Sequence, residues 1–150
     1  MADNMVLISV GDRFESVVGR IDVVTLAERV LAAESVDESE LGILVTDDEQ
    51  VRELNRKYAG EDEATDVLSF SLLEGEEFVS PDGVTRLGEV IISYPTAERQ
   101  ASEAGHSVAD EVSHLLVHGI LHLLGYDHAE PDDEQKMRAR EDELLGASRH

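Results

Sequence analysis

Histidines are clustered in one short part of the chain. Five of the six lie between His106 and His128, and three of them are spaced as His118-x-x-x-His122-x-x-x-x-x-His128. Residues four apart project from one face of a helix, so His118 and His122 can bind a single ion. Gly125 can adopt a positive φ, which would end the helix and turn His128 back to that ion. Three imidazoles suffice for Zn²⁺ and leave one coordination position open, as is typical of catalytic zinc.

The alternative to a metal is that these histidines are ordinary polar residues on a helix. Residues 108–124 are rich in apolar side chains, which predicts a largely buried helix. Buried imidazoles without partners cost roughly 1–3 kcal/mol each, so three of them at ligand spacing favour a metal. His114, one turn before His118, is either a packed histidine or one that faces the ligands or substrate. His106 and His150 receive no functional role.

One residue in this run argues against the best-known enzymes with this spacing. The metzincin proteases carry H-E-x-x-H-x-x-G-x-x-H, in which the Glu is the general base. The corresponding residue here is Gly119. Glycine cannot accept a proton, so the pattern keeps the metal but loses the base of a peptidase.

The composition limits the class of protein further. With 150 residues, the chain predicts one domain spanning 1–150. It has 12 Lys and Arg against 34 Asp and Glu, a formal charge of −22, which excludes a basic surface all over the molecule. The absence of cysteine excludes disulfides and thiolate metal sites. No apolar run is long enough for a membrane span, so we expect a cytoplasmic protein without membrane contacts.

Strands and helices alternate in the first half of the chain, and the second half is helical. Hydrophobic periodicity predicts four strands and five helices. The strands are expected at 5–10, 41–46, 66–72 and 87–94, and the helices at 22–33, 49–58, 95–104, 107–124 and 131–145. Asp22 or Thr25 is expected near the start of the first helix, Gly105 between the third and fourth, and Ser107 with Asp110 as a capping box. This order predicts an α/β fold with one mixed four-stranded sheet packed with about five helices.

Three segments together carry a resemblance to a known family. HGILHLLGYDH (118–128), ATDVLSF (64–70) and LGEV (87–90) closely resemble the YbeY family of bacterial endoribonucleases, over about residues 40 to 145. The resemblance implies a single domain of zinc-metalloprotease-like (zincin-like) topology. It also implies one Zn²⁺ per chain, bound by His118, His122 and His128.

The same resemblance implies a function. It indicates a zinc-dependent, single-strand-specific endoribonuclease that matures the 3′ end of small-subunit (16S) ribosomal RNA and takes part in ribosome quality control. The implied partners are ribosomal RNA and ribosomal proteins or assembly factors, and a monomer is expected.

This chain departs from the family pattern at one position implicated in catalysis. The family usually has Arg after the Tyr of L-N-x-x-Y-R, whereas this chain reads LNRKYA (54–59) and ends on Ala59. Arg56, three residues earlier and on a nearby helical face, is the candidate to replace it in stabilising charge on phosphorus. Asp66 and Asp127 are the nearest carboxylates within the motifs, and the general base is not identified. Ala64 and Ser71 replace two family prolines without removing a functional group.

An acidic protein that binds RNA needs local positive charge. Residues 51–57 contain three basic residues and one acidic residue, a net charge of 3 − 1 = +2. Arg86 and Arg99 could line the same cleft, or they could be surface residues in ordinary ion pairs. We expect weak intrinsic affinity for RNA and recruitment by protein partners.

Three functions are consistent with these patterns: an endoribonuclease, a non-catalytic or weakly active zinc-containing ribosome-assembly factor, and a zinc peptidase. Ala59 favours the assembly factor, and Gly119 counts against the peptidase. A purely structural zinc normally has four protein ligands, which disfavours that role for a three-histidine site.

Overall fold

A computed structural model describes residues 4–16, 18–36, 38–59, 66–71, 85–124 and 131–146. Within them lie four strands, five α-helices and a short 3-10 helix at Asp12–Phe14 that the sequence analysis did not predict. The strands are β1 (Met5–Val10), β2 (Ser39–Thr46), β3 (Val67–Ser71) and β4 (Thr85–Ser93). The helices are α1 (Arg20–Ala33), α2 (Asp48–Ala59), α3 (Tyr94–Ala104), α4 (Val108–Leu123) and α5 (Pro131–Gly146). All nine predicted elements are present.

The sheet is mixed, as predicted. Its strand order is β1-β2-β4-β3, with β1, β2 and β4 parallel and β3 antiparallel to β4. Residues 72–84, which connect the antiparallel strands β3 and β4, lie outside the described part of the chain. Because β3 pairs only with β4 in this order, it forms one edge of the sheet.

One face of the sheet carries the main hydrophobic core. Side chains alternate between the two faces of a strand, and Ile43 and Val45 of β2 with Val90 and Ile92 of β4 are buried in one cluster with α1 and α4. Helix α4 contributes seven buried apolar residues: Val112, Leu115, Leu116, Val117, Ile120, Leu121 and Leu123. The prediction that the histidine-bearing helix is largely buried is therefore confirmed.

Helix α2 covers the opposite face of the sheet. It contacts β3, β4 and α3. Ile91 alternates with Val90 and Ile92 and therefore points away from α4, yet it is buried. Val51 of α2 is also buried, and both Val51 and Ile91 lie outside the main core cluster. The packed side of α2 therefore lies on the face of the sheet opposite α4.

The corner between α3 and α4 forms as the sequence predicts. Gly105 has φ 75°, a left-handed conformation that favours glycine, and it ends α3. The Ser107 side chain accepts a hydrogen bond from the Asp110 backbone N–H at 3.1 Å and caps α4. These local signals fix where the histidine-bearing helix begins.

Two helix starts differ from the sequence prediction. Helix α1 begins at Arg20 after Gly19, with no side-chain capping bond, so Asp22 and Thr25 lie inside it. Helix α3 begins at Tyr94, which the sequence analysis had assigned to the preceding strand, because Ser93 is the N-cap and accepts from the Thr96 N–H. Helix α1 therefore begins two residues and helix α3 one residue before the predicted start.

A carboxylate at the start of α2 joins that helix to the start of α3. Asp48 accepts hydrogen bonds from the Ser93 and Thr96 hydroxyls, the latter at 2.6 Å, and from Arg99 Nη2 at 3.2 Å. Burial raises the pKa of Asp48, but the hydrogen bonds from these three residues and the charge of Arg99 outweigh it, so the pKa lies below its ordinary value. The ionised form therefore stabilises the fold.

We expect Asp48→Asn to destabilise the protein by roughly 1–2 kcal/mol at neutral pH, because a charge-assisted network loses its charge. The folded-state pKa is lowered, so the stabilisation is fully present above the unfolded Asp pKa of about 3.9 and is lost as pH falls through the folded-state value. The difference between wild type and Asp48→Asn in urea unfolding should therefore shrink below about pH 4. Glu49→Gln, an exposed neighbour in the same helical turn, is the control. A constant difference across pH would contradict the assignment.

Candidate metal centre

Helix α4 presents His118 and His122 on one side and packs Gly119 against the sheet on another. The His118 side chain is 33% exposed and His122 is exposed, although both neighbours of His122 in sequence are buried. The two imidazoles therefore lie at the solvent-accessible edge of a buried helix. The spacing in sequence predicts that His118 and His122 share one face of the helix, and the structure places both on an accessible face.

A buried carboxylate from α5 holds the first of these histidines. Glu141 Oε1 lies 2.8 Å from His118 Nδ1, and Glu141 is only 5% exposed. An ionised carboxylate can only accept, so Nδ1 carries the proton and donates it to Glu141. In the neutral ring, the second nitrogen, Nε2, then carries the lone pair that can bind a metal.

The same contact governs the charge of the imidazole. The hydrogen bond to Glu141 raises the pKa of His118, burial lowers it, and the charges of Glu141 and then Asp66 raise it again, with a net rise above the ordinary histidine value. A site of this polarity attracts a cation, because negative charge is concentrated where the imidazoles meet solvent.

Asp66 lies close enough to His118 to act on it electrostatically. It directly precedes β3, and its carboxylate accepts from the Val67 N–H at 2.8 Å and from Gln100 Nε2 at 3.3 Å. Its backbone carbonyl accepts from the Ser93 N–H at 2.9 Å. These bonds fix Asp66 beside the histidines. The other candidate carboxylate, Asp127, lies outside the described residues.

The donor set fits a zinc ion as far as the structure describes it. Two imidazoles share a helical face, and one is oriented by a carboxylate through its second nitrogen, the arrangement that supports zinc-bound histidines. No cluster of three His, Asp or Glu side chains suited to one ion occurs among the described residues. The third predicted ligand, His128, and the turn residue Gly125 lie outside them, so the complete three-histidine site remains a prediction.

The three histidines outside the predicted ligand set differ in their relation to the site. The His114 ring stacks on that of His118, with centroids 6.5 Å apart and planes inclined by 21°, so His114 adjoins the site. His106 Nε2 lies 2.6 Å from Oε1 of the buried Glu111, where it links the α3–α4 corner to α4. His150 is outside the described residues.

The basic residues proposed to line an RNA cleft are dispersed. Arg56 is exposed on α2, and its role remains a prediction. Arg99 pairs with Asp48 at 3.2 Å, and Arg86 lies 4.0 Å from Glu40. The structure therefore shows Arg86 and Arg99 in ordinary surface ion pairs, which was the alternative to a role in the cleft.

Gly119 is explained by close packing of α4 on the sheet. A Cβ at this position would lie 2.6 Å from Val90 Cγ1, 3.2 Å from Ser69 Oγ and 3.3 Å from Val67 Cγ2. The Ser69 hydroxyl also donates to the Gly119 carbonyl at 3.0 Å. The position that holds the general base in metzincins has no room for a side chain here.

Comparison with known proteins identifies the family. The model of the family described as endoribonuclease YbeY matches residues 12–149. The chain belongs to the YbeY endoribonuclease family. It is 51% identical over 127 residues to endoribonuclease YbeY of Dehalococcoides mccartyi strain BAV1, covering 78% of this chain and 79% of the relative. It is 52% identical over 110 residues to the Aquifex aeolicus relative of the same name, covering 73% and 70% of the two chains.

A solved structure supports the same fold. The solution structure of TM1509 from Thermotoga maritima superposes with a TM-score of 0.61 at 25% identity and covers 97% of this chain and 92% of that one. The single mixed sheet with five helices predicted from the sequence is thus confirmed for this YbeY-family chain. None of its described helices is long and apolar enough to cross a membrane.

Glu141 is the site residue that sequence reasoning missed. It lies 23 residues from its partner His118, in a helix that also carries many exposed charges. A local signal exists, because Glu141 falls on the stripe formed by the buried residues Met137, Leu144 and Leu145. A carboxylate inside an apolar helical stripe indicates a buried partner.

Proposed function

We propose that this protein is a zinc-dependent endoribonuclease that cleaves single-stranded RNA. The observation that carries the proposal is the pair His118 and His122 on one accessible face of α4, with His118 oriented by a buried carboxylate. The names of its relatives support the reaction class. We propose that His118, His122 and His128 hold one Zn²⁺ per chain.

The residues around this position serve a phosphodiester substrate in distinct ways. When bound, zinc supplies Lewis-acid stabilisation of the negative charge that develops on the phosphoryl oxygens. Glu141 keeps the His118 ring in one orientation, and Asp66 adds negative charge that offsets part of the cationic charge at the site. This chain has Ala59 where the family usually has an arginine. We propose that Arg56 contributes positive charge toward the RNA in its place.

The substrate proposed from the family resemblance is ribosomal RNA. The finer assignment is maturation of the 3′ end of small-subunit (16S) RNA and ribosome quality control in the cytoplasm, with ribosomal proteins or assembly factors as partners. A formal charge of −22 predicts weak binding to free RNA, since phosphate contacts need cations and weaken with salt. Protein partners would then supply the affinity for the ribosome.

The residues at positions 119 and 59 bear on the two other candidate functions, a peptidase and an assembly factor. A peptidase of the metzincin type requires a base at position 119, where an added Cβ would lie 2.6 Å from Val90 Cγ1 and has no space. An assembly factor with little activity is favoured by Ala59 alone. The histidine pair with an open face favours catalysis over a structural metal.

The test is cleavage of an end-labelled single-stranded RNA by the full chain loaded with zinc, beside the same RNA in a duplex. We expect cleavage of the single strand only, loss of cleavage with a chelator and recovery when zinc is restored, with metal content measured on each sample. Stoichiometric zinc without cleavage would refute the nuclease and support the assembly factor. Hydrolysis of an unstructured protein substrate would support the peptidase.

A further inference from the structure

Among the α5 side chains that the structure describes, 135–145, the apolar face contains one charged residue. Met137, Leu144 and Leu145 are buried, and Glu141 lies between them at helical spacing with 5% exposure. Removing a carboxylate from water is costly, and an apolar residue of similar volume at such a position is often neutral or stabilising. The stability of α5 therefore does not explain why a glutamate occupies position 141. The contact of Glu141 with His118 at 2.8 Å is the remaining explanation.

We infer that Glu141 is the positioning residue of His118: its carboxylate keeps the imidazole proton on Nδ1, fixes the ring and leaves Nε2 as the metal donor. This inference rests on the proposed function for the identity of the metal. Without the carboxylate, the ring could rotate and the proton could move to Nε2, the nitrogen that must be free to bind. Both changes lower metal affinity.

A second pair in the same protein provides a matched control. Glu111 is 7% exposed, and its Oε1 lies 2.6 Å from His106 Nε2. It resembles Glu141 in burial and in its histidine partner, but the partner is not a predicted ligand. A substitution of Glu111 therefore reproduces the loss of a buried carboxylate and a histidine bond without touching the metal position.

The experiment compares wild type, Glu141→Met, Glu141→Gln and Glu111→Met as full chains. In zinc-free protein at alkaline pH, nitrogen NMR of the imidazoles reports the tautomer of His118. We expect the Nδ1–H form in wild type and a shift to Nε2–H in Glu141→Met, which lacks an acceptor. Glu111→Met should leave the His118 tautomer unchanged. An unchanged tautomer in Glu141→Met would overturn the inference.

Zinc affinity, measured by competition with a chelator, is the second readout. We expect a loss of about 10- to 100-fold in Glu141→Met, a smaller loss in Glu141→Gln, which keeps an acceptor oxygen, and none in Glu111→Met. Glu141→Met should unfold at the same or a higher temperature, because it removes a buried charge. Equal affinity in all four proteins, or an affinity loss that only follows stability, would overturn the inference. Wild type that binds zinc and fails to cleave RNA would refute the nuclease alone.

Discussion

Replacing His118 by Asn is expected to abolish zinc binding and to lower RNA cleavage by at least about two orders of magnitude. Asn is chosen because its side-chain amide N–H can occupy the place of Nδ1–H and still donate to Glu141. The substitution removes Nε2, the nitrogen proposed to bind the metal, and keeps a donor near the position of Nδ1. His118→Ala would instead leave the buried Glu141 without its partner, which costs about 1–3 kcal/mol of stability. A loss of cleavage in that variant could then result from unfolding as well as from the loss of a metal ligand.

The control uses the second histidine–carboxylate pair. His106 bonds Glu111 through Nε2 at 2.6 Å, so His106→Gln keeps that donor in the same way. We expect His106→Gln to bind zinc and to cleave like the wild type. Zinc content, urea unfolding and cleavage rate would be measured on both variants. Full zinc occupancy in a folded His118→Asn protein would exclude His118 as a ligand.

Gly119→Ala is expected to destabilise the protein even though alanine favours a helix. The added Cβ would lie 2.6 Å from Val90 Cγ1, a methyl group of a stiff, fully buried side chain. Overpacking of this kind costs about 1–3 kcal/mol or more, against about 1 kcal/mol gained in helix propensity. The helix can relieve the contact only by moving away from the sheet, which also displaces His118 and His122. We therefore expect weaker zinc binding together with lower stability in urea unfolding.

A double-mutant cycle with Val90→Ala isolates the contact. Val90→Ala removes the methyl group that the new Cβ would meet, so the double variant should be less destabilised than the sum of the two single variants. It should also recover zinc affinity relative to Gly119→Ala. Additive stability changes would mean that Gly119 is not required for close packing of α4 against β4.

The departures from the sequence prediction have a common cause. Hydrophobic periodicity located every strand and helix within a few residues, because it depends on neighbours one turn or one pleat apart. Boundaries were misplaced by one or two residues, as at Tyr94, where a hydrogen bond from the Thr96 N–H to Ser93 decides the start of α3. A single chain does not indicate which of several polar residues forms that bond.

Local patterns in the chain are sufficient to predict the family, the mixed α/β class and the pairing of His118 with His122, since each depends on residues close together in sequence. The strand order β1-β2-β4-β3, the bond from His118 to Glu141 and the close approach of Gly119 to Val90 become visible in the folded molecule and not before. These link residues 23 and more positions apart. Such contacts are selected by packing of the whole chain, in which burial of apolar surface decides which distant groups meet.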